Sequence, residues 1–311
     1  MSLLEIKNLK VHYPIRGGFF NKVVDHVYAV DGVSMVIEQG KTYGLIGESG
    51  SGKSTIGKTI IGLEKATAGE ILYNGKNILD PKVRKEMKFN REVQMIFQDS
   101  MSSLNPKKRV LDILAEPIRN FEKLSKEAEK EKIYELLEIV GMPKDSIYKY
   151  PHEFSGGQRQ RLGIARAIAC KPKLIIADEP VSALDLSVQA QVLNYLKNIQ
   201  RELNLSYIFI SHDLGVVRHM CDYIYIMHRG KFTETGTRED IYKDARHIYT
   251  KRLIASIPQI NPEAREELKK KREDVEKEYE KLYSQFYDEN GKVFDLEKIS
   301  ETHSVASSTK I

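Results

Sequence analysis

The chain contains no long apolar run, and this absence argues against a membrane-spanning helix. A membrane-spanning helix needs about 20 mostly apolar residues in a row, and no stretch of the sequence approaches that length. The first residues also lack the apolar core of a signal peptide, because Glu5 and Lys7 interrupt them at once. The sequence therefore predicts a cytosolic protein that reaches a membrane only through partner proteins.

Cysteine is scarce. The chain has two cysteines, Cys170 and Cys221, which lie far apart and form no C-x-x-C pattern. This scarcity argues against a disulfide framework, a zinc site or an iron–sulfur cluster built by this chain alone. A free cysteine commonly behaves as a small buried hydrophobe, and we predict that role for both residues.

A strong charge imbalance is also missing. The chain has 49 Lys and Arg against 44 Asp and Glu, and the resulting net charge of +5 is too small to indicate a nucleic-acid-binding surface. With 41% hydrophobic and 30% charged residues, the composition suits a globular protein, and the length allows one large domain or two. We therefore expect no nucleic-acid partner.

One glycine-rich stretch, residues 47–55 (GESGSGKST), fits the phosphate-binding loop pattern G-x-x-x-x-G-K-[ST]. It follows a strand-like run, residues 43–46, and precedes residues that can open a helix, which is the setting that the motif requires. The alternative is a Gly/Ser turn that binds nothing. Backbone N–H groups of such a loop bind phosphate, Lys53 is expected to reach the β- and γ-phosphates, and Ser54 is expected to ligate Mg²⁺. The candidate ligands of a nucleoside triphosphate are Gly47, Glu48, Ser49, Gly50, Ser51, Gly52, Lys53, Ser54 and Thr55.

The first forty residues read as antiparallel strands. Residues 4–6 alternate, and residues 33–37 form an apolar run bounded by glycines. Between these strands, residues 14–20 contain a glycine pair and are typical of a loop-like insertion. Further on, the Asn74-Gly75 pair predicts a hairpin turn.

The middle of the chain changes to helical and then to mixed periodicity. Residues 106–150 are charged and helical, with Ser125 as a candidate helix cap. Apolar runs at residues 173–178 and 207–211 then flank a helix at residues 188–203, and a further strand follows at residues 223–227. This alternation predicts an α/β protein with a buried parallel sheet.

Beyond about residue 258 the composition becomes highly charged and helical. A narrow apolar stripe runs along this predicted helix at Leu268, Val275, Tyr279, Leu282 and Phe286. The helix either packs on its own domain or contacts another subunit. The final residues, 305–311, are expected to be frayed.

A second motif narrows the choice among kinases, GTPases and transport ATPases that a phosphate-binding loop leaves open. Residues 154–161 read FSGGQRQR, and Ser155 can cap a helix while the two glycines let backbone N–H groups approach a phosphate. This stretch resembles the L-S-G-G-Q signature of ATP-binding-cassette (ABC) proteins, with Phe154 in place of the leading Leu. An apolar strand ending in Asp178-Glu179 follows it, as in that family.

The resemblance implies roles for the residues that match the family's motifs. Asp178 would hold Mg²⁺, and Glu179 would be the general base that activates the attacking water. Gln98 would contact Mg²⁺ and this water, and would sense the membrane partner. Asp185, in a segment that crosses to the opposite subunit, and His212, which would contact the γ-phosphate, complete the set.

The family resemblance also implies a fold and an assembly. Residues 1–257 would form a P-loop NTPase nucleotide-binding domain with a RecA-like parallel-sheet core, an antiparallel β subdomain and a helical subdomain at about 99–165. Residues 258–311 would form a C-terminal extension. Two subunits of this family enclose two ATP molecules, and the signature residues serve the partner's nucleotide. Those residues are Ser155, Gly156, Gly157 and Gln158. We expect Tyr13 to stack on adenine, with Tyr28 as the rival.

Three stretches are similar to the dipeptide/oligopeptide permease branch of the family: residues 96–106, 150–161 and 247–251, the last with Ile248 where that branch usually has Pro. The resemblance implies an ATP hydrolase on the cytoplasmic face of the cell membrane that drives peptide uptake. No cysteine follows Cys221, so we expect no iron–sulfur cluster, as in the F-type subunits that pair with a related D-type subunit. The implied partners are that related ATP-binding subunit, two transmembrane permease subunits and, indirectly, an extracytoplasmic solute-binding protein. Met101 and Leu104 would contact a permease or lie in the core.

Other functions remain open at this level. The same branch also moves nickel or oligosaccharides, and soluble ABC ATPases act on DNA or ribosomes. The DNA-repair members have long coiled coils and the translation factors two cassettes, whereas this chain has a short helical insertion and one cassette. A non-hydrolysing regulatory subunit would lack the base or the switch residue, yet Glu179 and His212 are both present.

Overall fold

The structure is a computed structural model that describes residues 2–18, 20–99, 103–257 and 265–308. The strands are β1 (Ser2–Gly17), β2 (Lys22–Glu38), β3 (Thr42–Ile46), β4 (Ala68–Tyr73), β5 (Lys76–Asn77), β6 (Val93–Ile96), β7 (Leu174–Asp178), β8 (Ser206–Ser211), β9 (Tyr223–His228), β10 (Lys231–Thr237), β11 (Leu296–Lys298) and β12 (Ser304–Ala306). The α-helices are α1 (Lys53–Ile61), α2 (Pro81–Glu86), α3 (Phe89–Glu92), α4 (Val110–Phe121), α5 (Lys126–Ile139), α6 (Gly156–Ile168), α7 (Leu186–Leu203), α8 (Leu214–Met220), α9 (Arg238–Lys243), α10 (Ile248–Ala255) and α11 (Arg265–Phe286). Short 3₁₀ helices cover Lys144–Tyr148 and Pro151–Glu153.

The chain divides into two compact units. The first unit comprises residues 1–2, 38–41 and 80–208. In it, β6 and β7 are parallel, with Val93 opposite Leu174, and every residue of β7 is buried. Helix α6 packs on β6, and α4 and α5 pack on α6. A strand that is buried throughout its length is typical of parallel sheets that are covered on both faces.

The second unit comprises residues 3–37, 42–79 and 209–311 and contains strands of two sheets. The first sheet has the order β2-β1-β4-β5, and its β1–β4 and β4–β5 pairs are antiparallel. In the second, β3 is parallel to β9, and the order continues through β10 and β12 to β11 in antiparallel pairs. Parallel strands, antiparallel strands and helices confirm the predicted α/β class.

Several local predictions are confirmed. The hairpin between β4 and β5 turns at Asn74 and Gly75, whose φ angles are 47° and 77°, as a tight turn with two left-handed residues requires. Ser125 caps α5 by accepting a hydrogen bond from the backbone N–H of Ala128. Both cysteines are buried and neither forms a disulfide bond, and burial raises the pKa of the Cys170 thiol to about 11.

The loop-like insertion predicted at residues 14–20 is wrong in extent. Strand β1 continues to Gly17 and β2 begins at Lys22, so the segment is mostly a hairpin. Pro14 is compatible with this strand because β4 pairs with β1 only as far as Lys10. Beyond that point one edge of β1 is free of β4, and a residue without an N–H is tolerated at such an edge.

The frayed C-terminus is also partly wrong. Ser304–Ala306 form β12, which pairs with β10 through Glu234 and Val305, and Val305 is fully buried. A three-residue strand has too little periodicity to be recognised alone, and it is stabilised here by contacts with a distant strand. No helix among the described residues is both long and apolar enough to cross a membrane.

Candidate nucleotide site

The phosphate-binding loop connects β3 to α1 and approaches its neighbours so closely that only glycine fits at two positions. A Cβ atom added at Gly47 would lie 2.0 Å from the carbonyl oxygen of Met227 in β9. A Cβ at Gly52, the N-cap of α1 with φ 107°, would lie 2.0 Å from the carbonyl oxygen of Ala29 in β2. The loop therefore takes its shape from backbone packing, and it ends at the N-terminus of α1, which favours an anion.

Lys53, the first residue of α1, directs its ammonium group into this loop. The residue is only 4% exposed, and Nζ donates hydrogen bonds to the carbonyl oxygen of Glu48 at 2.7 Å and to Ser51 Oγ at 3.2 Å. A buried positive charge beside a helix N-terminus suits a polyphosphate. Ser54 and Thr55 follow in the first turn of α1 and are half-buried. These residues fit the phosphates of ATP.

Two further segments form hydrogen bonds with the backbone of this loop. The backbone N–H of Glu48 donates to the hydroxyl of Tyr249 on α10 at 2.9 Å. The N–H of Gly230 donates to the carbonyl oxygen of Ser51 at 3.1 Å. The carbonyl oxygen of Gly230 in turn accepts from the N–H of Asp31 at 2.8 Å. Sequence reasoning singled out Tyr249 only as part of a C-terminal motif and missed this contact.

The structure distinguishes the two aromatic candidates for adenine stacking. The Tyr13 hydroxyl lies near the side chains of Glu64 and Thr55, so this residue lies beside the phosphate-binding loop. Burial and the Glu64 carboxylate raise the pKa of Tyr13. Tyr28 instead meets His12 edge-on, with ring centroids 4.7 Å apart, and lies under the ammonium of Lys292. The position of Tyr13 favours it, and its stacking on adenine stays a prediction.

The first unit carries the predicted catalytic carboxylate. Asp178 ends the buried strand β7 and is 4% exposed, and Glu179 follows with a left-handed φ of 45°. Gln98, beyond the end of β6, donates from Nε2 to Glu179 Oε2 at 2.9 Å. A carboxylate pair and an amide thus lie at the carboxyl ends of two adjacent parallel strands, where α/β sheets bind ligands. Carboxylate and amide oxygens are also suitable ligands for Mg²⁺.

The signature segment opens α6 with a reciprocal cap. Ser155 Oγ accepts from the Gln158 N–H at 3.3 Å, and Gln158 Oε1 accepts from the Ser155 N–H at 3.0 Å. Both residues are exposed and Gly156 is half-buried. A Cβ at Gly157 would lie 2.5 Å from Cγ1 of Val188, so this glycine is needed for packing against α7. The sequence predicted only its approach to phosphate.

The remaining predicted residues lie at the ends of other elements. Asp185 precedes α7 and is exposed, and its neighbour Leu186 is 81% exposed. His212 follows β8 and is exposed, while Asp213 caps α8 through the N–H of Gly215 at 2.7 Å. Leu104 is 1% exposed and therefore belongs to the core, whereas Met101 lies outside the described residues.

Each unit thus holds part of the predicted set. The second unit contains the phosphate-binding loop, Tyr13 and His212. The first unit contains Gln98, Asp178, Glu179, Asp185 and the signature residues. The action of both sets on one nucleotide stays a prediction from the sequence.

Comparison with known proteins identifies the family. Residues 30–182 match the family model of ABC transporters, and residues 233–294 match that of the oligopeptide/dipeptide transporter C-terminal region. The chain is 58% identical over 302 residues to the oligopeptide transport ATP-binding protein OppF of Lactococcus lactis, which covers 97% of this chain and 95% of the relative. The chain belongs to the ABC transporter ATP-binding proteins. This confirms the resemblance inferred from the signature and the strand that follows it.

Further relatives of this ABC ATPase agree. OppF of Escherichia coli is 47% identical over 264 residues, which cover 84% of the chain and 79% of that protein. A dimeric ATP-binding cassette, solved in a post-hydrolysis state with ADP and Pi, has a TM-score of 0.67 and 27% identity, over 76% of this chain and 98% of its own. The protein cbiO1 from Clostridium perfringens, part of the transporter complex cbiONQ, has a TM-score of 0.66 and 26% identity, over 78% and 91%. These similarities confirm the predicted ABC cassette fold and its ATPase class.

Proposed function

We propose that this chain is the ATP-hydrolysing subunit of an ABC importer that takes up di- and oligopeptides. The observation that carries the peptide assignment is the nearly full-length similarity to an oligopeptide transport ATP-binding protein, which includes the C-terminal region. ABC cassettes share the ATPase core whatever they transport, so the core alone would leave the solute open. Nickel or oligosaccharide is the alternative cargo.

In this proposal the backbone N–H groups of the loop and the Lys53 ammonium bind the phosphates of ATP. The buried position of Lys53, between the Glu48 carbonyl and Ser51, supports that role. Ser54, Gln98 and Asp178 would hold Mg²⁺, which when bound offsets the negative charge of the phosphates. Tyr13 would stack on adenine.

Glu179 would act as the general base on the attacking water. The hydrogen bond that Gln98 donates to Glu179 Oε2 orients the carboxylate that would accept the proton. The left-handed φ of Glu179 is a conformation that a non-glycine residue adopts only when its surroundings impose it, and such residues cluster at functional sites. His212 would contact the γ-phosphate.

The signature, in which Ser155 and Gln158 are exposed, and the exposed Asp185 would meet the nucleotide of a partner subunit. Their exposure supports this, because a surface that serves another subunit must be accessible in the single chain. We propose a related ATP-binding subunit as partner, with two transmembrane permease subunits, on the cytoplasmic face of the membrane. An extracytoplasmic solute-binding protein would act indirectly. Residues 1–257 would form the nucleotide-binding domain, with its helical subdomain at about 99–165, and residues 258–311 the extension.

Affinity capture tests the assembly. The tagged chain is recovered from gently solubilised native membranes, and the co-purifying proteins are identified. We expect two polytopic membrane proteins and a second ABC ATPase, together with labelled-dipeptide uptake that is lost when Lys53→Ala replaces the original chain. Recovery of ribosomes or DNA instead, or uptake that is unchanged by Lys53→Ala, would contradict the importer proposal.

A further inference from the structure

Both backbone polar groups of Glu48 are hydrogen-bonded by side chains. The N–H donates to the Tyr249 hydroxyl at 2.9 Å, and the carbonyl oxygen accepts from Lys53 Nζ at 2.7 Å. Glu48 is the second residue of the phosphate-binding loop. The orientation of its backbone therefore governs where the Lys53 ammonium sits.

Tyr249 is itself held in a buried aromatic cluster. It is fully buried, and its ring stacks on the imidazole of His228 with centroids 4.2 Å apart and an interplanar angle of 14°. His228 Nδ1 forms a hydrogen bond with the hydroxyl of Tyr287, just beyond α11, at 2.9 Å. Burial, reinforced by Arg229 and Arg252, lowers the pKa of His228 to about 4, so the imidazole is neutral near pH 7. The cluster thus connects α11 to the tyrosine that bonds the loop.

A buried carboxylate fixes the start of the helix that carries Tyr249. Glu234 on β10 accepts hydrogen bonds from the backbone N–H groups of Arg246 at 2.8 Å and His247 at 3.1 Å. The same carboxylate bonds His303 Nε2 at 2.7 Å, just before β12. His247 then caps α10, and its Nδ1 accepts from the Tyr249 N–H at 3.0 Å. The C-terminal tail is therefore connected to Tyr249 by a second route.

We propose that Tyr249, around which the C-terminal segment packs, is a positioning residue whose hydroxyl holds the phosphate-binding loop in its nucleotide-binding conformation and so strengthens nucleotide binding. The inference rests on the proposed ATP-binding function and extends it. Tyr249 acts through Glu48 and Lys53. A loop that is held in its binding conformation binds more tightly than a loop that samples others, because the apparent affinity falls with the competent fraction.

Two matched hydroxyl deletions test this in the full chain. Tyr249→Phe and Tyr287→Phe each remove one buried hydroxyl and keep the ring, but only Tyr249 bonds the loop. We expect Tyr249→Phe to weaken Mg-ADP binding about tenfold in calorimetric titration, since the loop backbone loses one hydrogen bond to a buried hydroxyl. Tyr287→Phe is expected to bind Mg-ADP with an affinity within about twofold of that of the unsubstituted chain. Both variants should lower the Tm by a similar amount.

Amide hydrogen exchange without nucleotide gives a second, independent readout. Exchange at the Glu48 N–H is expected to accelerate in Tyr249→Phe and to remain unchanged in Tyr287→Phe. Equal weakening of ADP binding by both variants would show that Tyr249 is merely structural, and unchanged Glu48 exchange would show that the hydrogen bond does not hold the loop. Either result overturns the inference. An unsubstituted chain that binds no nucleotide would contradict the proposed function, and the exchange data would still decide on the Tyr249 contact.

Discussion

Replacement of Gly52 by alanine should displace the phosphate-binding loop. Gly52 has φ 107°, and an alanine in this region costs about 1–3 kcal/mol of backbone strain. The added Cβ would also lie 2.0 Å from the Ala29 carbonyl oxygen and 2.7 Å from Cε of Met227. The methionine can move, but the carbonyl belongs to the backbone of β2. Overpacking at this contact adds about 1–3 kcal/mol. The free energy of unfolding should therefore fall by about 2–6 kcal/mol in all.

The same displacement should be measurable in nucleotide binding. A shift of about 1 Å in a positioned site can reduce activity about a hundredfold, and we expect a loss of this order in Mg-ADP affinity for Gly52→Ala. Gly75→Ala is the matched control, because Gly75 has φ 77° but an added Cβ meets no atom within 4 Å. The control should lose only about 1–2 kcal/mol in urea unfolding and keep its affinity. If Gly52→Ala binds ADP normally and is no less stable than Gly75→Ala, the loop does not depend on this close approach.

Further substitutions test other parts of the site. Glu179→Gln should lower kcat for ATP hydrolysis by about 10²–10⁴ with ADP affinity unchanged, and a smaller loss in kcat would exclude Glu179 as the base. Gly157→Val should separate α6 from α7, because even a Cβ would lie 2.5 Å from Val188, and should cost about 1–3 kcal/mol in urea unfolding; unchanged stability would contradict the tight packing. Glu234→Gln replaces one acceptor oxygen with an NH₂ group in a site that receives three N–H donors, so we expect a loss of about 1–3 kcal/mol in urea unfolding. Retained stability in that variant would show that the bond to His303 does not anchor the tail.

The features that the sequence predicts well are those that short segments determine. The glycines and lysine of residues 47–55 require a strand before them and a helix after them, and the structure has both in β3 and α1. Asn74 and Gly75 form the predicted turn because each can adopt a left-handed φ. Ser125 caps α5 for an equally local reason. In each case the interaction that stabilises the element lies within a few residues of it.

The features that sequence reasoning missed depend on contacts between distant segments. Nothing near Tyr249 indicates that its hydroxyl bonds a loop 201 residues earlier in the chain. Gly157 is explained by Val188 on another helix, and the short strand at Ser304–Ala306 by its pairing with β10. Local propensity carries little information about such pairings, because the partner supplies the stabilisation.

The composition changes near residue 258 because the segment beyond it exposes more of its surface to solvent. This segment nevertheless packs against the rest of its unit. Helix α11 is charged over most of its surface, yet Phe286 at its end is 4% exposed and lies in one apolar cluster with Ile248 of α10 and Val305 of β12. The partly buried Tyr279 and Leu282 of the predicted stripe pack against the same cluster. This supports the interpretation that the stripe serves the packing of its own unit. An extension that is packed in this way can affect the phosphate-binding loop, because Tyr249 belongs to the helix that it covers.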